Sequence, residues 1–466
     1  MISGKSSLCI SAEEVKTLLR EGEICITVVG LGRIGLPTAA SFANAGAKVY
    51  GVDINESVVG TINSGENRFV DEPGLEDMLR KVVKEGKLHA TLRAEPVISK
   101  SDFLILSVPT PVLPSKTPDY SAIRTVSHQV GEYMKSGTTV IVESTVGPGT
   151  VENLIAPILE AESGMKVDAD FGLASAPERS DPGNIMKNLT SVPRVVGASN
   201  SRTRDIVAAL YEATFGVEVV KVSSPRTANA VKLTENLFRD VNIALANEFA
   251  LLYEKLGIDV IEVIKACSTK YNFMPHYPGA GVGGPCLPAN PYYLIEEALK
   301  VGDIPYLIRM AREINDRMPE HIVELTMEAL NEVAKTVRGS KIGVLGISYK
   351  PNVKDVQLSP IVSICSRLQE MGAILKIYDP LFPAERAAGF DVLDSVEKAV
   401  SNSDCILFGV AHEKFKHLDL GYLRSLSGNR SAVVDACHLI DPQEAMKLGF
   451  AYRGVGRPRS RNLEVF

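Results

Sequence analysis

The chain has 466 residues, too many for a single compact core, so two or three domains are expected. Its net charge of −6 and pI near 5.8 give no general attraction for phosphate backbones or anionic lipid, which argues against nucleic-acid and membrane-surface binding. Hydrophobic residues make up 45% and charged residues 23%, the balance of a folded protein, and no apolar run approaches the roughly 18 residues needed to span a bilayer.

In chain order, Ser11-Ala12-Glu13-Glu14 reads as a capping box opening a short amphipathic helix, not as a signal peptide. From Glu23 to about Thr214, Val/Ile-rich runs (Ile24 to Val29, Val49 to Val52, Phe103 to Val108, Thr139 to Val142, Arg194 to Val196) alternate with amphipathic segments. That is the pattern of buried parallel strands joined by helices. From Thr227 to Ala334 helix formers dominate, interrupted by a Gly/Pro-rich stretch between Tyr271 and Pro291. The alternation returns at Lys341, with strands expected at Ile342 to Gly346, Ile374 to Tyr378, Cys405 to Val410 and Ala432 to Asp435. The fold class is therefore α/β, with two Rossmann-like doubly wound domains joined by a central helical domain. The expected divisions are an N-terminal helical extension 1–22, a dinucleotide domain 23–215, a helical domain 216–330 carrying the cysteine loop, and a second Rossmann-like domain 331–466.

Gly30-Leu31-Gly32-Arg33-Ile34-Gly35 follows a predicted strand and opens a helix, and Asp53 ends the next strand about 20 residues on, the spacing of a dinucleotide site. The first glycine permits the turn, the second lets backbone N–H groups reach a pyrophosphate, and the third lets the helix pack on the sheet. Asp53 would accept from ribose hydroxyls and repel a 2′-phosphate, which favours NAD over NADP. Ser107-Val-Pro109-Thr110-Pro, Glu143-Ser144-Thr145 and Ser175-Ala-Pro-Glu178-Arg179 follow predicted strands, where an open α/β sheet binds ligands; each is equally consistent with a plain turn.

The loop Tyr277-Pro-Gly279-Ala-Gly-Val-Gly283-Gly-Pro-Cys286-Leu-Pro-Ala-Asn290 is costly to order, and its glycines are explained if the backbone must approach a ligand. Cys286 would then be a nucleophile at that ligand's edge, whereas a cysteine taken alone is more often a small buried hydrophobe. Asn229, Lys232, Asn236 and Arg239 recur at helical spacing on a helix whose Val231, Leu237, Val241, Leu245 and Phe249 are expected to be buried. The stripe is either a solvated face or a set of groups that orient hydroxyls and stabilise an oxyanion. The seven cysteines lack disulfide or zinc spacing, which suits a reducing cytoplasm. Cys9, Cys25, Cys267, Cys365, Cys405 and Cys437 are read as structural, and with no histidine in a metal-like grouping no metal is expected.

Taken together, Gly30 to Gly35, Ser107 to Pro111, Ser144-Thr145-Val146, Pro177-Glu178-Arg179, Val231 to Asn236, Gly283 to Cys286 and Gly346-Ile-Ser-Tyr-Lys350-Pro351 resemble the UDP-glucose/UDP-N-acetylhexosamine dehydrogenase family, from about Glu23 to Arg459. The resemblance implies an NAD domain, a helical dimer core and a UDP-binding domain, hence a cytoplasmic homodimer or higher homo-oligomer that takes NAD and a UDP-sugar. It implies Cys286 as nucleophile, Lys232 and Asn236 as oxyanion stabilisers, Glu178 as acid/base group and Thr145 as a placer of water. It also implies cofactor contacts from Gly30, Gly32, Arg33, Ile34, Gly35, Asp53, Pro109, Thr110, Ser144 and Thr145. Substrate contacts would come from Glu178, Arg179, Lys232, Asn236, Arg239, Tyr277, Gly279, Gly283 and Lys350. Two positions depart from the family's pattern: Asn290 stands where an Asp is common, and Gln357 where an Arg is. Lys232 to Asn236 with Phe238 to Asn242 looks like the N-acetylmannosamine branch, and Asn272 to Pro275 with Tyr277 to Gly279 like the N-acetylglucosamine branch. The reaction implied is the four-electron oxidation of a C6 alcohol through a thioester. UDP-glucose oxidation, a two-electron hydroxyacid dehydrogenase and a non-catalytic NAD-binding protein are the competing readings.

Overall fold

Every Val/Ile-rich run singled out above forms a strand in the computed structural model, which describes residues 10–458. In the first sheet these are β1 (Cys25–Val29), β2 (Lys48–Val52), β3 (Leu88–Thr91), β4 (Phe103–Leu106), β5 (Thr139–Val142), β6 (Gly172–Ser175), β7 (Arg194–Ala198) and β8 (Val219–Val222), in the order β3-β2-β1-β4-β5-β6-β7-β8. Both faces are covered, as a doubly wound sheet requires. Phe103 and Ile105 enter one core while Leu104 and Leu106 enter the other, the two-residue alternation of a strand with no wet side.

Two expectations need correction here. The strand beginning at Arg194 is not parallel: β7 runs antiparallel to β6, with Ala174 opposite Ala198 and Ser175 opposite Gly197. A parallel return needs a crossover, usually helical, long enough to recross the sheet; between β6 and β7 the chain has only the five-residue helix Ile185–Leu189, so it turns back at the sheet's edge. The sheet also runs on to Val222, past the boundary expected at 215, through an edge strand that the sequence masks by exposing Val220 and Lys221.

The second sheet contains β9 (Lys341–Leu345), β10 (Ile374–Tyr378), β11 (Arg386–Ala387), β12 (Phe390–Leu393), β13 (Cys405–Phe408), β14 (Ala432–Asp435) and β15 (Ala451–Gly454), ordered β11-β12-β10-β9-β13-β14-β15. Only the short β11 is antiparallel to its neighbour. Alternation again feeds two cores: Cys405 and Leu407 to one side, Ile406 and Phe408 to the other.

The capping box forms as expected: Ser11 accepts from the Glu14 N–H, Glu14 reaches back to the Ser11 N–H, and the helix Ala12–Glu21 follows. This helix is no loose extension, because Val15 and Leu19 are fully buried in the core of the first sheet and Lys16 pairs with Glu212 at 3.3 Å. Cys365 and Cys405 are buried, and burial pushes the Cys365 thiol up to about 12, as befits a packing residue; Cys9 lies outside the described residues. Among the described residues no helix is long and apolar enough to cross a membrane.

The chain packs as two units, one running through Glu235 and including Tyr292–Asp303, the other made of Asn236–Pro291 and the chain from Ile304 on. The helix Pro225–Leu256 contributes to both. Its expected apolar face is only partly internal: Leu237 is buried, Val231, Val241 and Phe249 are partly exposed, and Leu245 is 45% exposed. With Phe238, Leu252 and Leu256 it forms an open apolar stripe.

Candidate active site

In the first unit the glycine turn has the geometry its spacing predicts. Gly30 has φ +93°, and a Cβ there or at Gly35 would strike backbone, at the Ser107 carbonyl and the Gly30 carbonyl respectively. Gly32 has nothing within 4 Å of its Cβ position, so its face of the turn is open to an incoming group. The helix Gly35–Ala45 begins without a side-chain cap, but its Leu36 N–H donates to the Gly32 carbonyl (3.1 Å) and Pro37 has no N–H, so an anion here would be met by the glycine turn itself. The Asp53 carboxylate accepts from the Leu31 N–H (3.0 Å) and the Asn55 N–H (2.9 Å), is partly exposed, and keeps acceptor capacity for hydroxyls. These residues fit a dinucleotide. Ile34 precedes the helix and packs against the core. Arg33 is committed elsewhere: it donates to Asp71 at 3.0 and 2.9 Å, so its side chain buttresses the turn instead of waiting for a ligand.

The loops after β4 and β5 are zipped together. The Ser144 hydroxyl donates to the Val108 carbonyl (2.8 Å) and accepts from the Val108 N–H (2.9 Å), and the Thr110 hydroxyl donates to the Thr145 carbonyl (2.7 Å). Tyr293 adds a hydrogen bond to the Thr110 carbonyl. Pro109 is left exposed and Thr145 half-buried at this edge.

The reversal of β7 brings Arg194 to the same edge. Extending the β6–β7 register past Ser175 and Gly197 sets Glu178 opposite Arg194, and the two side chains form a buried ion pair. Arg194 also donates to Glu143 at 3.2 Å and lies over the Tyr211 and Phe215 rings at 5.2 Å from each centroid. Glu178 receives further bonds from the Arg179 N–H (2.7 Å), the Ser180 N–H (2.6 Å) and the Ser180 hydroxyl. Burial would push Glu178 up, but Arg194 first, then Ser180 and the nearby charge of Lys232, outweigh it and draw the carboxyl down to about 2. Glu143 goes the other way: burial dominates over Arg194, and the acid rises to about 7. The acid/base role expected of Glu178 is thereby narrowed, since a carboxylate held so low keeps no proton to give at neutral pH. Removing Arg194 would strand a buried charge, at a cost of about 3–5 kcal/mol.

Arg179 pairs with Glu235 and donates to the Pro193 carbonyl, which makes it a brace for the Glu178 loop. On the long helix, Asn229 is 1% exposed and accepts from Ser175 at 2.9 Å, and Lys232 is 8% exposed. A solvated face therefore does not describe the first half of the polar stripe, although Arg239, at its far end, is exposed.

In the second unit, the Cys286 carbonyl accepts from the Ala289 N–H (3.1 Å) and the Asn290 N–H (2.8 Å), so the cysteine stands one turn ahead of the helix Asn290–Lys300. The Asn236 amide donates to the Asn290 side-chain oxygen. Gly279 is tied to the helices: its N–H donates to Asn247 (2.9 Å), which donates to Asn315 (2.9 Å), which donates to Asp240 (3.0 Å). Tyr277 is 50% exposed and Lys350 partly so, on the loop that follows β9.

Two glycines of this loop are also required by packing within the protein. A Cβ at Gly283 would lie 2.8 Å from both the Leu358 carbonyl and Tyr349, and one at Gly284 would lie 2.6 Å from the Tyr349 ring. Gly284 also donates to the Gln357 carbonyl at 3.0 Å. Gly283 and Gly284 leave no room for a side chain on the side where Tyr349 and Leu358 lie. Gln357 serves this bond through its backbone, which any residue provides.

Glu143 lies in a segment the sequence marks as a ligand-binding strand end, but nothing in the sequence assigns Arg194 to the site. The available signal was a lone arginine opening an apolar strand, Pro193-Arg194-Val195-Val196, and the parallel assignment placed it at the wrong end of the sheet.

Three models of the UDP-glucose/GDP-mannose dehydrogenase family match in succession: its NAD binding domain over residues 24–215, its central domain over 226–317 and its UDP binding domain over 343–442. A UDP-N-acetyl-D-mannosamine dehydrogenase of Pyrococcus horikoshii is 38% identical over 432 residues, 93% of this chain and 99% of the relative. The solved structure described as that enzyme superposes with a TM-score of 0.86 at 37% identity, covering 93% of this chain and 99% of the other. A UDP-N-acetyl-D-glucosamine 6-dehydrogenase of Pseudomonas aeruginosa is 32% identical over 424 residues, 91% of this chain and 99% of the relative. The structure of the UDP-N-acetyl-mannosamine dehydrogenase of Staphylococcus aureus gives a TM-score of 0.80 at 30% identity, over 92% of this chain and 98% of the other.

Proposed function

Because the chain belongs to the UDP-glucose/GDP-mannose dehydrogenase family and carries its NAD-binding and UDP-binding domains, it is an NAD-linked UDP-sugar dehydrogenase, and we propose that it oxidises C6 of a UDP-N-acetylhexosamine to the carboxylate through a thioester on Cys286. The N-acetylmannosamine form is the favoured substrate and the N-acetylglucosamine form the next, in keeping with the names of the relatives at 38% and 32% identity. The observation that carries the reading is the setting of Cys286 at the start of a helix, with Asn290 fixed by Asn236 one turn on.

NAD, held by Gly30, Gly32, Gly35 and Asp53, would supply the hydride acceptor for the two oxidations. The chain's own residues do the rest. The Cys286 thiolate adds to the C6 aldehyde and holds it as a thiohemiacetal, so a reactive carbonyl is not released between the oxidations. Loss of the second hydride leaves a thioester. Water then adds at C6 and gives up a proton, the C–S bond breaks, the Cys286 thiol is regenerated and the C6 carboxylate is formed. Lys232 and Asn236, one helical turn apart, stabilise the negative oxygen at each tetrahedral stage. Thr145 places the water, and Glu178, already ionised, is suited to accept from it instead of donating. Asn290 holds hydrogen bonds an aspartate would hold but takes no proton, which leaves that duty with Glu178. Tyr277, Gly279, Arg239 and Lys350 serve the substrate's nucleotide and sugar. A cytoplasmic homodimer belongs to the same reading, supported by the open stripe Phe238, Leu245, Leu252 and Leu256.

NADH counting against a panel of UDP-sugars, with products identified by mass, tests this. Two NADH per uronate, with UDP-N-acetylmannosamine turned over fastest, is the expected result. One NADH per sugar would point to a two-electron dehydrogenase, preference for UDP-glucose would move the substrate, and no turnover would leave a binding protein.

A further inference from the structure

Behind Glu178 lies a group of buried charges that the steps above do not use. One guanidinium, Arg194, 2% exposed, stands between two carboxylates, Glu143 at 2% and Glu178 at 6%. The two acids are served unequally. Glu178 has four donors across its two oxygens, from Arg194, the Arg179 and Ser180 N–H groups and the Ser180 hydroxyl. Glu143 has the Tyr211 hydroxyl (2.6 Å) and Arg194 (3.2 Å) on one oxygen, while the other is buried without a hydrogen-bond partner, as is Arg194 Nε. A single cation cannot neutralise two anions in a dry setting, so one acid keeps its proton through part of the neutral range, and the poorly served Glu143 is that acid. The opposed shifts, Glu143 up to about 7 and Glu178 down to about 2, agree.

We infer that Arg194 and Glu143 are positioning residues for the reaction: Arg194 fixes Glu178 as an oriented anion beside Lys232, and the proton on Glu143 decides how firmly Arg194 holds it. The inference rests on the reading of Glu178 as the group that accepts from water. While Glu143 is protonated, the whole charge of Arg194 falls on Glu178 and weakens it as a base. When Glu143 ionises, Arg194 is divided between two anions, Glu178 becomes the better acceptor, and cleavage of the thioester speeds up. The charged and titratable groups facing this pair are Tyr211 from the helix Ser201–Phe215 and Lys232 from the long helix, with the Thr38 hydroxyl from the glycine-turn helix. Burial first, and then the charge of Glu143, holds the Tyr211 hydroxyl well above its usual range, so it stays a donor through neutrality.

The pH profile of kcat is the test. The wild-type protein should gain rate as pH rises through neutrality. Glu143→Gln, fixed in the uncharged state, should lose that rise and run about tenfold slower above it, one pKa unit of base strength being one factor of ten. Arg194→Lys keeps the charge but cannot bridge both carboxylates, and should lower kcat with the KM for the UDP-sugar unchanged. A merely structural cluster would lower the melting temperature and leave the profile where it was, so an unshifted rise in folded Glu143→Gln overturns the inference. Should Arg194→Lys fail to fold, Glu143→Gln decides alone. An infrared titration without substrate separates this from the functional reading. A carboxylic-acid band lost as pH rises through neutrality, and missing in Glu143→Gln, supports the charge arrangement whichever sugar is used; no such band overturns it.

Discussion

Gly30 and Gly346 open the same turn in the two sheets. Each has a positive φ, +93° and +92°, and each donates its N–H at 2.8 Å to the last residue of the neighbouring strand, Val52 and Tyr378. The next residue donates to an aspartate just past that strand, Leu31 to Asp53 at 3.0 Å and Ile347 to Asp379 at 2.8 Å. There the likeness ends. Asp53 stays partly open, whereas Asp379 is fully buried and also accepts from the Ser348 N–H (3.1 Å), the Ser348 hydroxyl (2.7 Å) and His412 (3.1 Å). In the first sheet the helix starts within the turn at Gly35 and is uncapped. In the second it starts only at Pro360, and Ser359 caps it. The first turn leaves its aspartate partly open, whereas the second spends its aspartate on neighbouring protein groups. Glycine spacing hinted at this, because only the first turn has the third glycine.

The comparison can be broken most severely at Gly35. Gly35→Val drives a side chain into the Gly30 carbonyl and should abolish NAD binding and lower stability by about 3 kcal/mol, judged by calorimetry and thermal melting. A variant that still binds NAD as the wild type does would refute the close helix packing.

The buried acids sharpen the contrast through opposite pH dependence. Glu143, raised from 4.5 to about 7, gives stability that is complete below its unfolded value and is lost as pH climbs through neutrality. The loss is about 3 kcal/mol at most, and Glu143→Gln should remove that slope from the melting-temperature profile. Asp379 is burdened by burial, but His412 and then Ser348 hold it well below the usual range. Its contribution is therefore present above its unfolded value near 3.8 and lost as pH falls below it. Asp379→Asn should cost about 1.5–3 kcal/mol near neutrality and flatten the acid limb instead. The same slope in both variants would contradict the separate roles assigned to the two acids.

Much of this architecture is written locally. Runs such as Phe103 to Leu106 feed two cores by simple alternation, so their strands were legible, as were the glycine turn and the Ser11 cap. Direction was not: β7 is as Val-rich as its parallel neighbours, and only the short connection through Ile185–Leu189 reverses it. Arg194 was lost with that reversal. The packing at Gly283 and Gly284 was hidden for a related reason, since Tyr349 and Leu358, which press on them, are more than sixty residues away in sequence. Residues whose roles depend on long-range pairing leave no local period to read.

The covalent step is the core of the account, and trapping it is the most direct test. Acid quench of the working enzyme with NAD and UDP-N-acetylmannosamine, followed by peptide mass analysis, should find the sugar acyl group on the peptide carrying Cys286. The same experiment on Cys286→Ala should give neither adduct nor uronate. Uronate formed at the wild-type rate by Cys286→Ala would contradict the mechanism outright.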